Sequence, residues 1–443
     1  MALVENHVID REKLLEERRR YVGPTVTLFF HSKPLIVMRS KDQYLYDEEG
    51  VEYLDCVNNV QHVGHCNETV ARAIYDQCMR TNCNSRYVHP SIVECSQKLL
   101  KKCPSNMDCC LFGNSGSESV DVSMRLAKDV TGGTEFIVLE HAFHGHNELA
   151  MAVSSLTTKK MSGRARKDFV HVAAIPDTYR GRYRLAEEER SDPKKVRRVA
   201  CLYAKHVQEI IEREIHAKGK RLAAFLVEAF VCCGGQVLLP FGYLEEAAKY
   251  VKAAGGLVIV DEVQTGFGRV GEHFWAYETH TSDDFCPDMI VCGKPMGNGF
   301  PVAAVITTNK MLSRLGEGLD YFNTYSGNPV ACAAVIAVLD VMERDRLQQR
   351  AKHVGAYFLA RLKAIQAKFR AVIGDVRGVG MFIGLELVKP SAGAEAVPNA
   401  ELAGQLLDAL RTRERIIFGR EGPDYNVIKI KPPLCFDKDN VDT

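Results

Sequence analysis

Residues 288–301 read DMIVCGKPMGNGFP, and an earlier stretch, residues 258–269, reads VIVDEVQTGFGR. The first places Lys294 after a short apolar run and before a Gly-rich turn. The second ends a β-branched run on Asp261. Such a run is a buried strand that delivers its last residue to the carboxyl end of a sheet, where open α/β sheets bind ligands. An amine and a carboxylate so placed suit pyridoxal 5′-phosphate (PLP). The lysine amine can hold the aldehyde carbon covalently, and the aspartate can pair with the pyridinium nitrogen, keeping the ring an electron acceptor.

Other residues could complete that site. GNSGSES (113–119) follows an apolar run and opens a helical pattern. Free N–H groups and the helix dipole at such a turn favour a phosphate, so Gly116 and Ser117 are the expected phosphate cup. A Gly/Ser-rich turn by itself is most often only a turn; its place upstream of the lysine gives it weight. Phe143, in HAFHGH (141–146), can cover the ring, although alone it would read as a core phenylalanine. His141, His144 and His146 also have the look of a metal set, but no metal is expected, because the aromatic-His-Gly loop serves the ring. Gln264 can reach the ring hydroxyl. Glu228, ending LAAFLVE (222–228), is a further cofactor-side candidate, and Thr324, in FNTYSGNP, offers an exposed hydroxyl in a turn.

Elements must position these groups. From about residue 60 to 325, helical patterns alternate with the apolar runs DCCLFG, EFIVLE, FVHVAAI, LAAFLVE, GLVIVDE and DMIVCG. That alternation implies βαβ units and a mainly parallel sheet flanked by helices, an α/β class. Residues 1–20 read as an amphipathic surface helix. Residues 35–60 read as two strands joined by an Asp-Glu-Glu-Gly hairpin, 181–199 as a charged surface excursion, and 329–369 as helix. GDVRGVGMFIGLELV (374–388) reads as strands with Gly breaks, followed by a helix and a last strand, NVIKIKPPLCF. The expected organisation is an N-terminal segment (1–60) packing with the small domain, a large domain (61–325), and a small α+β domain (326–443) built from both chain ends.

Composition narrows the partners. The chain has 443 residues with net charge +1 and 46% hydrophobic content. Near-neutrality argues against nucleic acid or an anionic membrane as the main partner. No apolar run approaches the roughly 18 residues of a membrane span; the longest, 330–339, suits a buried helix. The N-terminus lacks an apolar signal region and is as rich in Glu as in Arg, which a transit peptide would not be. A cytoplasmic location is expected, with the mitochondrial matrix as the alternative. The fifteen cysteines are an odd number without C-x-x-C spacing, which reads as free, mostly buried thiols in a reducing compartment.

Together these motifs resemble the class III (ω-amino) aminotransferase family of fold-type I PLP enzymes, from VEYLDCVNNVQHVGHC to the closing KPPL. The resemblance implies that Lys294 binds the cofactor and Asp261 its pyridine nitrogen. It also implies that Gly116 and Ser117 hold the phosphate, and that Phe143 stacks on the ring beside His144. Thr324 is implied to reach the cofactor phosphate of a neighbouring subunit, in a homodimer with shared sites.

Two departures bear on the substrate. Amino-acid-using members carry an Arg three residues before Pro-Pro-Leu, where this chain has Lys429, and Lys cannot clamp a carboxylate bidentately. They also carry a Glu where VEAFVCCGG has Cys233. Loss of both suggests a substrate that needs no Arg/Glu exchange; the competing reading is that another arginine, such as Arg86, took over. NNVQHVGHC, TNCNSRYVH, PDTYRGRYR, GRVGEHFWA, GKPMGNG, FNTYSGNP and VIKIKPPLCF look like the phospho-lyase branch, acting on ethanolamine phosphate or 5-phosphohydroxylysine. The wording GKPMGNG and NTYSGNP leans toward the former. The reaction implied for ethanolamine phosphate is phosphate elimination, leaving acetaldehyde and ammonia, with Lys294 as general base. Arg86, Lys429 and Lys431 are the candidate cations for the substrate phosphate, Lys429 first among them. An ω-aminotransferase and a non-catalytic PLP-binding protein are the competing functions. Within the resemblance, Val120 stands where Asn is usual, Phe143 where Tyr is, and Phe300 where His is. A further helix beyond CFDKDNVDT is expected to close the small domain.

Overall fold

Apolar runs with no polar face are what a parallel sheet covered on both sides requires. The computed structural model describes residues 9–30, 33–156, 167–315, 320–390 and 396–443. Three short strands come first: β1 (Arg39–Lys41), β2 (Tyr44–Tyr46) and β3 (Glu52–Asp55). The six expected runs then form β4 (Cys109–Gly113), β5 (Glu135–Leu139), β6 (Val170–Ala173), β7 (Leu222–Glu228), β10 (Leu257–Asp261) and β11 (Met289–Cys292). A small ribbon, β8 (Phe230–Val231) and β9 (Val237–Leu238), follows β7. A strand absent from the sequence reading, β12 (Ala303–Thr307), completes a seven-stranded sheet of order β4-β12-β11-β10-β7-β5-β6. β12 runs antiparallel to both neighbours, and the remaining pairs are parallel.

Alternation along each strand feeds two cores. Val258 and Val260 face one, with helices Pro193–Ile210 and Tyr243–Ala253 packed on it through Val199, Tyr203, Val207, Ala247 and Val251. Ile259 faces the other, covered by helix Gly116–Thr131 through Val120, Met124 and Ala127, a stripe at helical spacing. That helix starts at the Ser115 cap and stops at Gly132, whose φ of 64° is the left-handed conformation glycine adopts cheaply.

The chain ends meet beyond the sheet. β13 (Ile373–Val379), β14 (Phe382–Leu387), β16 (Gly419–Glu421) and β17 (Val427–Ile430) form an antiparallel sheet, and β15 (Ile416–Ile417) pairs with β3. Helices Pro329–Arg344 and Leu347–Lys368 lie before it, the first burying most of the apolar run. The last turn, Lys438–Asp442, packs near Leu347–Lys368, and Phe436 stacks on Phe358.

Several expectations change. The first helix is Arg11–Tyr21 and buries nothing; residues 1–8 lie outside the described residues. The hairpin has three strands, because β1 and β2 turn tightly before the Asp-Glu-Glu-Gly turn joins β2 to β3. The charged stretch 181–199 is partly regular: Asp192 caps a helix that begins at Pro193 and buries Val199. Its charges lie on the outer face, so composition alone suggested a loop. All fifteen cysteines are free, but only five are fully buried.

Candidate active site

Three adjacent parallel strands deliver three ionisable groups to one edge. β7 ends at Glu228, β10 ends at Asp261 beside it in register, and Lys294 follows β11 by one glycine. Lys294 sits at φ 23°, outside the regions open to most side chains, and opens a 3₁₀ turn, Lys294–Gly297. Strain of this kind persists where the surrounding structure over-determines a functional residue.

Asp261 is buried, and its carboxylate is fully engaged on the protein side. Oδ1 accepts the Val263 N–H at 3.0 Å, and Oδ2 accepts from His144 Nδ1 at 2.8 Å. His144 is buried with Nε2 unpartnered. Glu228 pins two loops: its oxygens accept the N–H groups of Phe143 and Cys232 at 3.0 and 3.1 Å. Burial, reinforced by the nearby Asp261, raises its carboxyl to about 7.

A cavity of about 300 Å³ opens over these groups, lined by Gly116, Ser117, Phe143, Asp261, Gln264 and Lys294 among others. Gly116 and Ser117 begin their helix, where the first N–H groups have no intrahelical acceptor. The Ser117 hydroxyl is already used, accepting the His146 N–H at 3.0 Å. Two glycines keep this end narrow and open. A Cβ on Gly116 would lie 2.8 Å from Val263, and one on Gly145, at φ 140°, would lie 2.5 Å from Ser117 Oγ. A helix N-terminus for a phosphate, an aromatic wall, a buried carboxylate, an amine and an orphan buried imidazole nitrogen are a donor set that fits PLP. Asp261 would face the ring nitrogen, Phe143 the ring and Lys294 the aldehyde carbon.

A second cavity of about 450 Å³ shares Lys294 and Gln264 with the first. Its walls are largely apolar, including Phe29, Phe30, Leu35 and Val37, and its polar end carries Lys429 and Lys431. Lys431 is 4% exposed and donates to Gln264 Oε1 at 3.0 Å, an oxygen that also accepts from Asn59 at 2.9 Å. Burial, and the neighbouring ammoniums of Lys429 and Lys294, lower its pKa against the opposing pull of Cys232 and Cys233. Lys429 is bound to Glu421 at 2.5 Å.

The structure thus gathers Lys294, Asp261, His144, Phe143, Gly116, Ser117, Gln264, Lys429 and Lys431 around two joined cavities. Arg86 and Thr324 line neither. Arg86 lies 3.8 Å over the Phe322 ring, and Thr324 sits exposed on a loop tied through Asn323 to Glu118 and Asn114. Sequence reading missed Asn59, the second partner of Gln264, because nothing local marks a contact two hundred residues away. It also missed Glu421, although the EGPDYN turn between Glu421 and Val427 signals a hairpin that returns Lys429 toward it.

Among the described residues no helix is long and apolar enough to cross a membrane. The sequence profile described as Aminotransferase class-III matches residues 30–443. The alanine–glyoxylate aminotransferase 2-like protein of Drosophila melanogaster is 41% identical over 443 residues, 100% of this chain and 87% of its own length. Ethanolamine-phosphate phospho-lyase homolog 1 of Caenorhabditis elegans is 41% identical over 440 residues, 99% of this chain and 93% of its own. A phospholyase from Arthrobacter, solved in complex with phosphoethanolamine, superposes with a TM-score of 0.88 at 34% identity, covering 97% of this chain and 96% of that one. With its fold-type I architecture, the chain belongs to the class III aminotransferase family, whose cofactor is pyridoxal 5′-phosphate.

Proposed function

We propose that this enzyme is a phospho-lyase that eliminates phosphate from ethanolamine phosphate, giving acetaldehyde, ammonia and phosphate. The observation that carries the reading is Lys431. It is a buried ammonium with no ion pair among the described residues, in the cavity that Lys294 also lines. A buried charge without a counter-ion is costly, and a bound anion offsets that cost. The 41% identity to a phospho-lyase homolog and the likeness to a phospholyase bound to phosphoethanolamine support the same reading.

When bound, PLP supplies an electron sink for the charge left as a C–H bond next to the substrate nitrogen breaks. The chain's own residues do the rest. The Lys294 amine takes the proton from that carbon, a role worth typically about 10²–10⁴-fold in rate. The His144–Asp261 pair fixes the carboxylate that would face the ring nitrogen. Lys431, backed by Gln264 and Asn59, holds the departing phosphate. Lys429, the residue ranked first from sequence, stands second here because Glu421 already engages it.

The reading includes a homodimer in which Thr324 faces the neighbouring subunit's cofactor. Its exposed loop is flanked by exposed Phe322 and Tyr325, and Tyr87 and Val88 are 68% and 98% exposed, an apolar face suited to a partner.

Inorganic phosphate release from phosphoethanolamine by the holoenzyme, with Lys294→Ala as control, tests the proposal. Lysine-dependent phosphate and acetaldehyde are expected. Keto-acid-dependent amino transfer without phosphate release would replace it with an aminotransferase, the activity in the name of the fly relative. Release only from 5-phosphohydroxylysine would move the substrate to that sibling.

A further inference from the structure

The phosphate seat has a counter-ion built into it. β16 and β17 are antiparallel with Gly419 directly opposite Lys429, so Glu421 is the diagonal neighbour of Lys429 on the same face. Diagonal neighbours stand about 7–8 Å apart, within reach of a long side chain. Gly419 leaves that space empty: a Cβ there would lie 2.4 Å from Lys429 Cε. Lys429 therefore lies over the glycine, and its Nζ meets Glu421 Oε1 at 2.5 Å. Both side chains are largely covered, at 15% and 20% exposure, so the pair is screened less than a surface pair. Two positions along the chain, the Lys431 ammonium is bound, among the described residues, only to a neutral amide oxygen. Lys429 and Lys431 thus both line the second cavity, and among the described residues Glu421, outside its lining, is ion-paired with Lys429 and not with Lys431.

We infer that Glu421 sets how tightly this cavity holds phosphate, by occupying Lys429 while leaving Lys431 open. This rests on the phospho-lyase reading and deepens it. Lys431 is the main anchor of the phosphoryl group of the substrate. Lys429 is shared between Glu421 and that group, so Glu421 offsets one of the positive charges the departing phosphate meets, and the phosphate leaves readily. An exposed Lys429 would strengthen binding of substrate and of product phosphate together, and stronger product binding slows release. Glu421 is a positioning residue in this account, acting through Lys429 and not on the reacting atoms.

The test measures competitive inhibition by inorganic phosphate, with KM and kcat for phosphoethanolamine, on the holoenzyme of wild type, Glu421→Gln, Lys429→Met, Lys431→Met and the double variant Glu421→Gln/Lys429→Met. In Glu421→Gln the phosphate inhibition constant is expected to fall about tenfold or more, with a lower KM and no gain in kcat, as removal of a close, largely covered charge implies. The fall is expected to vanish in the double variant, a result that a merely structural role for Glu421 would not give. Gly419→Ala, which pushes Lys429 off its path, is expected to tighten phosphate in the same direction. A constant for Glu421→Gln within about twofold of wild type, or a fall that persists without Lys429, overturns the inference. If phosphate inhibits Lys431→Met as strongly as wild type, the seat lies elsewhere: this inference falls while the lyase reading stands. If wild type turns over no phosphoethanolamine and binds no phosphate, the lyase reading falls and takes the inference with it.

Discussion

Glu262 shows how one residue can tie stability to pH beside the reacting groups. It follows Asp261 but points into the protein, where Oε2 accepts the Thr265 hydroxyl at 2.6 Å and Oε1 accepts the Tyr277 N–H at 2.8 Å. Burial outweighs those bonds, and the nearby Glu278 and Asp261 add to it, raising the carboxyl from 4.5 to about 8. The folded state therefore keeps a proton that the unfolded chain loses near pH 4.5. The stability linked to that proton is present below pH 4.5 and is lost as pH rises through about 8. Glutamine keeps an acceptor for Tyr277 and donates to the Thr265 oxygen. Glu262→Gln is thus expected to flatten the decline of melting temperature between pH 5 and pH 8.5, which thermal scans at the two pH values would show. Asp261→Asn is the companion case on the ligand side. It is expected to leave folding intact and to lower turnover by about 10²-fold or more, because a neutral amide cannot pair with a protonated ring nitrogen. Turnover within a few-fold of wild type would remove Asp261 from that role.

At the scale of elements, backbones approach where side chains are absent. Gly355 lies inside helix Leu347–Lys368, and a Cβ there would stand 2.2 Å from the Gly380 carbonyl oxygen. Helix propensity alone favours alanine at such a position by about 1 kcal/mol. The contact is backbone against backbone, which no side-chain rotation relieves, so overpacking wins. Gly355→Ala is expected to destabilise by about 1–3 kcal/mol, read as a lower denaturant midpoint at unchanged slope. A stabilised variant would show that the helix can move off the Gly380 turn. Gly116 makes the same kind of demand on function: its helix start passes within a methyl group of Val263. Gly116→Ala is expected to weaken cofactor binding more than it weakens the fold.

Across the whole molecule, Arg269 joins parts of the chain far apart in sequence. Its Nη1 donates to the carbonyls of Met381 and Pro432 at 3.1 and 2.8 Å, and its Nη2 lies 3.3 Å from His62 Nδ1. His62 in turn donates from Nε2 to the Phe267 carbonyl at 2.7 Å, so Nδ1 is the acceptor. No carboxylate bonds this guanidinium among the described residues, and burial lowers its pKa to about 9. Because Pro432 follows Lys431, the clamp also fixes the cation proposed for the substrate. Arg269→Met would orphan two buried carbonyls at about 1–3 kcal/mol each, a loss expected in chemical denaturation. A rise in KM for phosphoethanolamine larger than any change in kcat is expected with it.

Sequence by itself determined the sheet and its reactive edge. Short apolar runs rich in β-branched residues and alternating with helical patterns read as strands buried on both faces, whose last residues emerge at the carboxyl edge, so the placement of Asp261 and Lys294 was legible before any coordinates. The Gly-Ser turn ahead of helix Gly116–Thr131 was legible for the same local reason. Only the tertiary structure decided what lies across gaps of many residues. It paired His144 with Asp261, Asn59 with Gln264, and Gln264 with Lys431, and it set the Glu228 carboxylate to hold the Phe143 and Cys232 loops. It added β12, antiparallel to both its neighbours, since a short apolar run carries its own burial but not its direction. It joined Lys429 to Glu421 through the space left by Gly419, a pairing fixed by strand register. Local patterns record which face of an element is buried; register and crossing geometry, which depend on every other element at once, decide which charges meet.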